Sequence, residues 1–267
     1  MFHRRRNRTG VSLVEMLLAI AVLGIMAMSL SALATIVHTS NDFAQTRGEA
    51  IQHARVACER IERALSSAYA TADYPGFAAV ATTSGGHSYP DLLIVWRPVG
   101  APANAAGPPL MRELVFFTFA PSEPHKLLEI TLPNDNRPAP AASNLVQWAI
   151  ELASLHTRND AVKVQLSDLL RTGDAGSTGT QMRGVVRFET RLRPSAAEWT
   201  EYQNGSRDWD ELSWAQSIYG SDTGLRQAWC SYELQFVPRG KTRSGSESAA
   251  LALPAFGSAA IYYTLTK

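Results

Sequence analysis

The sequence predicts an α+β protein in which a long N-terminal helix, transmembrane and then amphipathic, packs against an antiparallel β-sheet head. Residues 16–37 form an uncharged apolar segment, and an apolar stripe at helical spacing continues as far as Ala68. No proline precedes residue 75, so we expect one continuous helix from Val11 to Tyr69. From Tyr74 onward, short apolar segments alternate with loops rich in Pro and Gly, a pattern typical of strands.

The apolar segment is long enough to cross a bilayer. It has 22 residues, 16–37, without a charge, and a helix needs roughly 20 residues to span a hydrocarbon core about 30 Å thick. Four arginines lie within residues 4–8, and the next Lys or Arg is Arg47. Because positive charge is retained on the cytoplasmic side, we expect a single span with the N-terminus in the cytoplasm.

The N-terminal residues resemble a type IV prepilin signal. A short basic leader ends in a stretch, residues 10–15, that reads Gly-Val-Ser-Leu-Val-Glu, where family members most often have Gly-Phe-Thr-Leu-Ile-Glu. Val11 therefore replaces the usual phenylalanine. The resemblance implies that a membrane-embedded prepilin peptidase cuts between Gly10 and Val11 and methylates the new Val11 amine.

Glu15 places one carboxylate at the entrance of the apolar segment, where a charge is costly without a partner. Cleavage after Gly10 would leave an ammonium group at Val11, four residues away. In a helical filament, Glu15 of one subunit could neutralise the Val11 amine of a neighbour, which is better than either charge alone in a low dielectric. The alternative is that Glu15 merely lies at the lipid headgroups, where charges are tolerated.

The resemblance extends to a subclass. Ala32 stands where the major filament subunits usually carry a helix-bending proline, and the head is much larger than that of a major pseudopilin. In these respects the chain is similar to a minor pseudopilin of type II secretion, closest to the J type. This implies an inner-membrane protein with a periplasmic head, whose partners are other minor and major pseudopilins and the inner-membrane assembly platform. Such subunits are thought to form a tip complex that primes a short filament for protein export.

The predicted layout has four parts. They are a leader peptide at 1–10, a transmembrane helix at 11–37, an amphipathic periplasmic helix at 38–70 and a β-rich periplasmic head at 71–267. Removing the leader takes away four arginines and no acid, so the formal net charge changes from +1 to −3. Without a basic patch in the mature chain, we expect no nucleic-acid partner.

Two other interpretations stay open. A minor type IV pilin, serving adhesion, motility or DNA uptake, would carry the same signal. Alternatively, residues 4–8 and the Ala-Leu-Ala of residues 32–34 could belong to an ordinary secretory signal peptide. Cleavage after Ala34 would then release a soluble binding module or enzyme beginning at Thr35. Against this, the apolar segment is long for a signal peptide and begins with a carboxylate.

The outer part of the helix is predicted to pack on the head through one apolar stripe. The stripe consists of Ile51, Ala54, Cys58, Ile61, Leu65 and Ala68. Cys58 is therefore predicted to be a buried free thiol. The alternative is a disulfide with Cys230, which could form outside the cytoplasm. Strands are predicted at 91–96, 113–119, 126–132, 185–192, 232–237 and 259–266, with a short helix at 144–156 and an ambiguous segment at 162–170. Alternation of apolar and charged residues in 185–192 predicts a sheet with one wet face.

Four of the six tryptophans fall between residues 199 and 229. They are Trp199, Trp209, Trp214 and Trp229. The preferred interpretation is that they cap the core of the sheet, because tryptophan dominates burial. The alternative is a contact surface for a partner subunit or a sugar, since aromatic residues are enriched in such patches.

No sequence motif predicts catalysis or a cofactor. The six histidines form no metal-binding spacing, and neither a phosphate-binding loop nor a nucleophile elbow is present. The carboxylates of Asp208, Asp210, Glu211 and Asp222 could bind Ca²⁺, as some extracellular pilin-like heads do, but no glycine-centred Ca²⁺ loop accompanies them. We expect a protein without enzymatic activity and without a required cofactor.

Overall fold

One uninterrupted helix begins the described part of the chain. The computed structural model describes residues 12–84, 86–105, 107–174, 182–215, 222–240 and 249–267. The chain divides into two compact units, Met1–Thr46 and Arg47–Lys267. Helix α1 spans Leu13–Ser66, which confirms the predicted continuous helix but ends it three residues early. At that end the Ser67 hydroxyl donates to the Arg63 carbonyl at 2.8 Å.

The second unit combines the outer part of α1, residues 47–66, with antiparallel sheets. Its strands are β1 (Phe77–Ser84), β2 (His87–Trp96), β3 (Leu114–Ala120), β4 (Glu123–Thr131), β5 (Val162–Ser167), β6 (Thr172–Asp174), β7 (Met182–Gly184), β8 (Val186–Arg193), β9 (Thr223–Phe236) and β10 (Leu253–Thr266). They form a five-stranded sheet ordered β1-β2-β3-β4-β5, a three-stranded sheet ordered β10-β9-β8 and the hairpin β6-β7. Helices α2 and α3 span Leu145–Leu155 and Ala196–Gln203. The predicted α+β class is confirmed.

The face that α1 presents to the sheets is lined mainly by alanine. Its buried residues are Ala50, Ala54, Ala57, Ile61, Ala64 and Leu65. The predicted stripe is wrong at Ile51, whose side chain is 49% exposed, while its neighbour Ala50 is fully buried. Small side chains let a helix backbone approach a sheet closely, so Ala50 lies in the packed face and the bulkier Ile51 does not.

The central strands of the five-stranded sheet, β2 to β4, are covered on both faces over much of their length. One face packs with α1 and the three-stranded sheet around residues such as Phe117, and the opposite face packs under α2 around Trp148. All seven residues of β3 are buried. The prediction of one wet face was made for residues 185–192, whose strand, β8, lies in the three-stranded sheet.

The three-stranded sheet does have one wet face, as the alternation in residues 185–192 predicted. On β8, Val186 and Phe188 are buried while Arg187 and Arg191 are exposed. Strand β9 alternates in the same way along its whole length. The buried face of this sheet belongs to the core that includes α1.

Several strands differ from their predicted bounds. Strand β1 was missed, β9 begins nine residues before the predicted residue 232, and β10 begins six before residue 259. Glycine lowers strand propensity, yet Gly224 and Gly257 lie inside β9 and β10. A Cβ at either position would collide with a packed ring, that of Trp214 or Tyr232 respectively. Close packing therefore explains why Gly224 and Gly257 can lie inside these strands. The ambiguous segment at 162–170 contains β5.

Candidate functional site

The start of α1 is closed by two reciprocal hydrogen bonds between Ser12 and Glu15. The Ser12 N–H donates to Glu15 Oε2 at 2.9 Å, and the Glu15 N–H donates to Ser12 Oγ at 3.2 Å. This is a capping box, which satisfies N–H groups that a helix leaves free in its first turn. The Ser-x-x-Glu spacing of residues 12–15 encodes it. Both sequence-based interpretations of Glu15, as a filament residue and as a charge at the lipid headgroups, overlooked this local role.

The cap leaves Glu15 able to take a second partner. The residue is exposed, and only its Oε2 atom takes part in the capping bonds. An ionised carboxylate offers about four lone-pair sites, so it can accept from the cap and from an amine at the same time. Gly10 and Val11, the predicted cleavage and methylation positions, lie outside the described residues.

The first part of α1 presents apolar side chains on all sides. Between residues 13 and 37 the large apolar side chains are 49% (Val22) to 77% (Leu13) exposed. By length and composition, α1 is the one helix in the described part of the chain that could cross a membrane. Hydroxyl groups along it bond back to the preceding turn, as from Ser29 Oγ to the Ile25 carbonyl at 2.9 Å. Internal satisfaction of polar groups is what lipid surroundings require.

The structure brings three of the four singled-out tryptophans together. Trp199, Trp209 and Trp214 have ring centroids 4.6 to 6.3 Å apart. Trp209 is 3% exposed and packs with Leu212 and Leu265 as a small separate core. The geometry of this cluster is that of a packed cap beside β10.

Trp229 lies elsewhere, on the wet face of the three-stranded sheet. It belongs to β9, where the Arg191 guanidinium lies 5.6 Å from the centroid of its ring. An arginine over an indole is a favourable cation–π contact that also shields the ring from water. Trp229 is therefore the singled-out tryptophan whose position is suited to surface contact.

The acidic residues near the tryptophans are not arranged as a metal site. Asp208 and Glu211 cap a short 3₁₀ helix, in which the Asp208 N–H donates to Glu211 Oε2 at 3.3 Å. Among the residues that the structure describes, no three His, Cys, Asp or Glu side chains come together in a way that could hold a metal ion.

Both cysteines are free thiols in the head. Cys230 is fully buried on β9, and burial raises the pKa of its thiol to about 12. Cys58 is half-buried, and burial likewise raises the pKa of its thiol. A protonated thiol is a poor nucleophile, so both side chains contribute packing rather than reactivity.

A cavity of about 560 Å³ lies between the five-stranded sheet and α2. Its polar lining includes Asp91, His156 and Arg183, and the Arg183 guanidinium pairs with the Asp91 carboxylate. Burial raises the pKa of Asp91, against the opposing effect of Arg183. Burial also lowers the pKa of His156 to about 4. Sequence reasoning missed this cluster, because Asp91 and Arg183 are 92 positions apart and no motif connects them.

Comparison with protein families identifies the N-terminal segment. Residues 5–31 match the model of the prokaryotic N-terminal methylation motif. The chain therefore carries a type IV pilin-like prepilin signal, as its residues predicted. Comparisons with curated proteins and with solved structures give no match.

The methylation motif supports a type IV pilin-like or pseudopilin protein. The signal implies processing by a prepilin peptidase and assembly with other pilin-type subunits in a membrane system. A single N-terminal apolar helix together with this signal fits membrane anchoring.

Proposed function

We propose that the protein is a minor pseudopilin, a structural subunit at the tip of a type II secretion pseudopilus that primes the filament for protein export. The observation that carries the proposal is the methylation motif at 5–31, which leads directly into one long helix. The large β-rich unit around the outer part of that helix supports a minor rather than a major subunit. So does Ala32, at the position where major subunits usually carry proline.

We further propose a single-pass inner-membrane protein whose head faces the periplasm. The four arginines within residues 4–8 support a cytoplasmic N-terminus. Its partners in this proposal are other minor and major pseudopilins and the inner-membrane assembly platform. The protein acts by packing and recognition, without catalysis and without a required metal.

In the proposed assembly step, Glu15 of one subunit accepts a hydrogen bond from the methylated Val11 amine of its neighbour. The capping box supports this step, because it fixes the Glu15 carboxylate at the helix start and leaves Oε1 for the amine. In lipid the paired charges are far more stable than either charge alone. The subunit enters the filament where this pairing is satisfied.

The first test is the N-terminus of the mature protein. Mass spectrometry of the protein isolated from membranes should find a chain that begins at a methylated Val11. A chain beginning at Thr35 would favour a secretory signal peptide cleaved after Ala34 and contradict the proposal.

The second test separates the charge of Glu15 from its role in the cap. Glu15→Gln keeps an acceptor for the Ser12 N–H but removes the charge, so we expect it, like Glu15→Ala, to abolish co-purification with other prepilin-signal proteins. Ser12→Ala weakens the cap and retains the charge, and it should leave assembly largely intact. Glu59→Gln is the matched control, since Glu59 is an exposed helix residue paired with Arg55. Normal assembly of Glu15→Gln would show that Glu15 acts only as a cap.

The third test distinguishes a pseudopilus from a pilus. In a strain that lacks this chain, we expect exported proteins to accumulate in the periplasm while twitching and transformation continue. The opposite pattern would favour a minor type IV pilin.

A further inference from the structure

A second cavity, of about 320 Å³, lies where the two larger sheets meet α3. Its walls are mostly small and apolar, since six of the lining residues are alanines. Phe77 from β1 and Leu192 from β8 add larger apolar surface. Among the described residues that line it, Arg226 of β9 is the one cation and Asp73 the one acid. The cavity is therefore a small apolar chamber with a cation in its wall.

Arg226 is a buried cation whose partners are neutral. The residue is 3% exposed, its Nε–H donates to the Pro194 carbonyl at 3.2 Å, and its guanidinium lies 5.2 Å from the centroid of the Trp199 ring. It also lies near the Tyr263 hydroxyl, because burial raises the pKa of Tyr263 and the Arg226 cation opposes that rise. No acidic side chain in the described part of the chain forms an ion pair with Arg226. Charges buried to this extent are normally paired.

The acids around the cavity do not supply the missing charge. Glu198, beside Trp199 on α3, accepts from the Ser195 N–H at 2.8 Å and from the Ser213 hydroxyl at 3.0 Å. Asp73 is exposed to solvent and does not pair with the buried cation. In addition, the Trp199 Nε1–H is buried without a hydrogen-bond partner among the described residues. The surroundings of the cavity thus contain buried donors but lack an anion.

These features restrict the chemistry of a ligand. A guanidinium matches the geometry of a carboxylate and binds it through parallel hydrogen bonds. The Pro194 carbonyl takes only the Nε–H of Arg226, so other N–H groups of the fork can serve a ligand. The alanine walls and the small volume favour a short apolar body. Asp73 would repel a second negative charge, which favours a ligand with one carboxylate.

We propose that this cavity binds a small organic monocarboxylate, with its carboxylate paired to Arg226 and its apolar body against Phe77 and the alanines. The ligand supplies the negative charge that the buried cation lacks. The inference does not depend on the secretion role, because it uses only the head. Loss of ligand binding would leave cleavage after Gly10 unchanged, so the two proposals fail separately.

The test is calorimetric titration of the full chain in a nonionic detergent with two matched probes. Phenylacetate carries one carboxylate on a small apolar body, and phenylacetamide has the same shape without the charge. We expect phenylacetate to bind at least about tenfold more tightly, because a hydrogen bond to a charged group is worth more than one to a neutral group. Equal affinities, or no binding of phenylacetate at millimolar concentration, would overturn the proposal. Tighter binding of inorganic phosphate would also overturn it, since that would indicate a general anion site.

Substitution of the cation tests which group recognises the carboxylate. Arg226→Met should abolish the preference for phenylacetate over phenylacetamide, and Arg226→Lys should keep the preference with weaker binding, because it retains the charge but loses the fork. Arg191→Met is the matched control, since it removes the exposed arginine that lies over the ring of Trp229. It should bind both probes as the unaltered chain does. A preference that persists in Arg226→Met would contradict the assignment.

A pair of cavity variants leaves Arg226 in place and stays informative if Arg226→Met does not fold. Ala196 and Ala197 are consecutive exposed residues of α3, and of the two only Ala196 lines the cavity. Ala196→Phe should weaken phenylacetate binding strongly, because its ring competes for the same volume. Ala197→Phe should leave that binding unchanged. Equal affinities in the two variants would show that phenylacetate binds elsewhere and would overturn the proposal.

Discussion

The two parts of α1 have the same backbone conformation and opposite surfaces. The apolar part, residues 13–37, exposes large side chains such as Leu23 (64%) on every side. The head part, residues 47–66, buries one narrow face of alanines together with Ile61 and Leu65. A helix that is apolar all round requires apolar surroundings, whereas a striped helix requires one packed partner. The apolar part of α1 is therefore suited to membrane anchoring, and the striped part is suited to packing in the head.

The two parts can be examined separately, because intrinsic fluorescence reports only on the head. The first of the six tryptophans is Trp96, well beyond α1. Denaturant unfolding of the full chain in detergent, followed by tryptophan emission, thus gives the free energy of unfolding of the head.

The largest expected effect comes from truncating the buried face. Ile61→Ala removes a fully buried side chain, so we expect the free energy of unfolding to fall by about 2–5 kcal/mol. Leu23→Ala, in the apolar part, should leave that free energy unchanged. Similar losses for both would show that the two parts of α1 do not have separate roles.

Enlarging an alanine tests the close approach of helix and sheet. Ala57→Leu adds volume at a fully buried position and should lower the free energy of unfolding by about 1–3 kcal/mol. Ala27→Leu makes the same change in the apolar part, where the position is exposed, and should be neutral. A neutral Ala57→Leu would mean that space remains at the helix face.

A third comparison concerns the charges on the head part of α1. Arg60 Nε donates to Glu129 Oε2 at 2.5 Å, and the Glu129 side chain is 3% exposed. Arg60→Met leaves that carboxylate buried without its cation, so we expect the free energy of unfolding to fall by about 1–2 kcal/mol. The loss is limited to this size because Arg60 itself is partly solvated. Arg55→Met breaks the exposed pair with Glu59 and should cost less than about 0.5 kcal/mol. Equal losses of unfolding free energy in Arg60→Met and Arg55→Met would contradict the importance of burial.

The smallest expected effect is a pH dependence confined to the head. Burial, assisted by Lys163, lowers the pKa of His156 to about 4. The unfolded chain binds this proton near pH 6.5 and the folded chain only near pH 4. The free energy of unfolding should therefore be highest above pH 6.5 and fall, by at most about 1 kcal/mol for a half-buried ring, as the pH drops towards 4.

Two substitutions check this pH dependence. His156→Gln should reduce the slope of the free energy of unfolding between pH 6.5 and 4. His87→Gln, at an exposed position, should leave it unchanged. An unaltered slope in His156→Gln would assign the effect to other groups.

The sequence by itself determined the features that depend on neighbouring residues. The prepilin signal, the apolar segment, the continuous α1, the helix near 144–156 and the alternation in β8 were all predictable, because each is a local pattern of a few to a few tens of residues. The capping box of Ser12 and Glu15 was equally local and could have been predicted from its spacing.

Only the tertiary structure decided which distant groups meet. It selected Ala50 over Ile51 for the packed face, paired Arg60 with Glu129, and separated Trp229 from the other three tryptophans. It also buried the central strands of one sheet on both faces and left β10 at the edge of the other. These outcomes depend on the order and closeness of strands that are far apart in the chain, and a pattern with a period of two or 3.6 residues contains no information about that order.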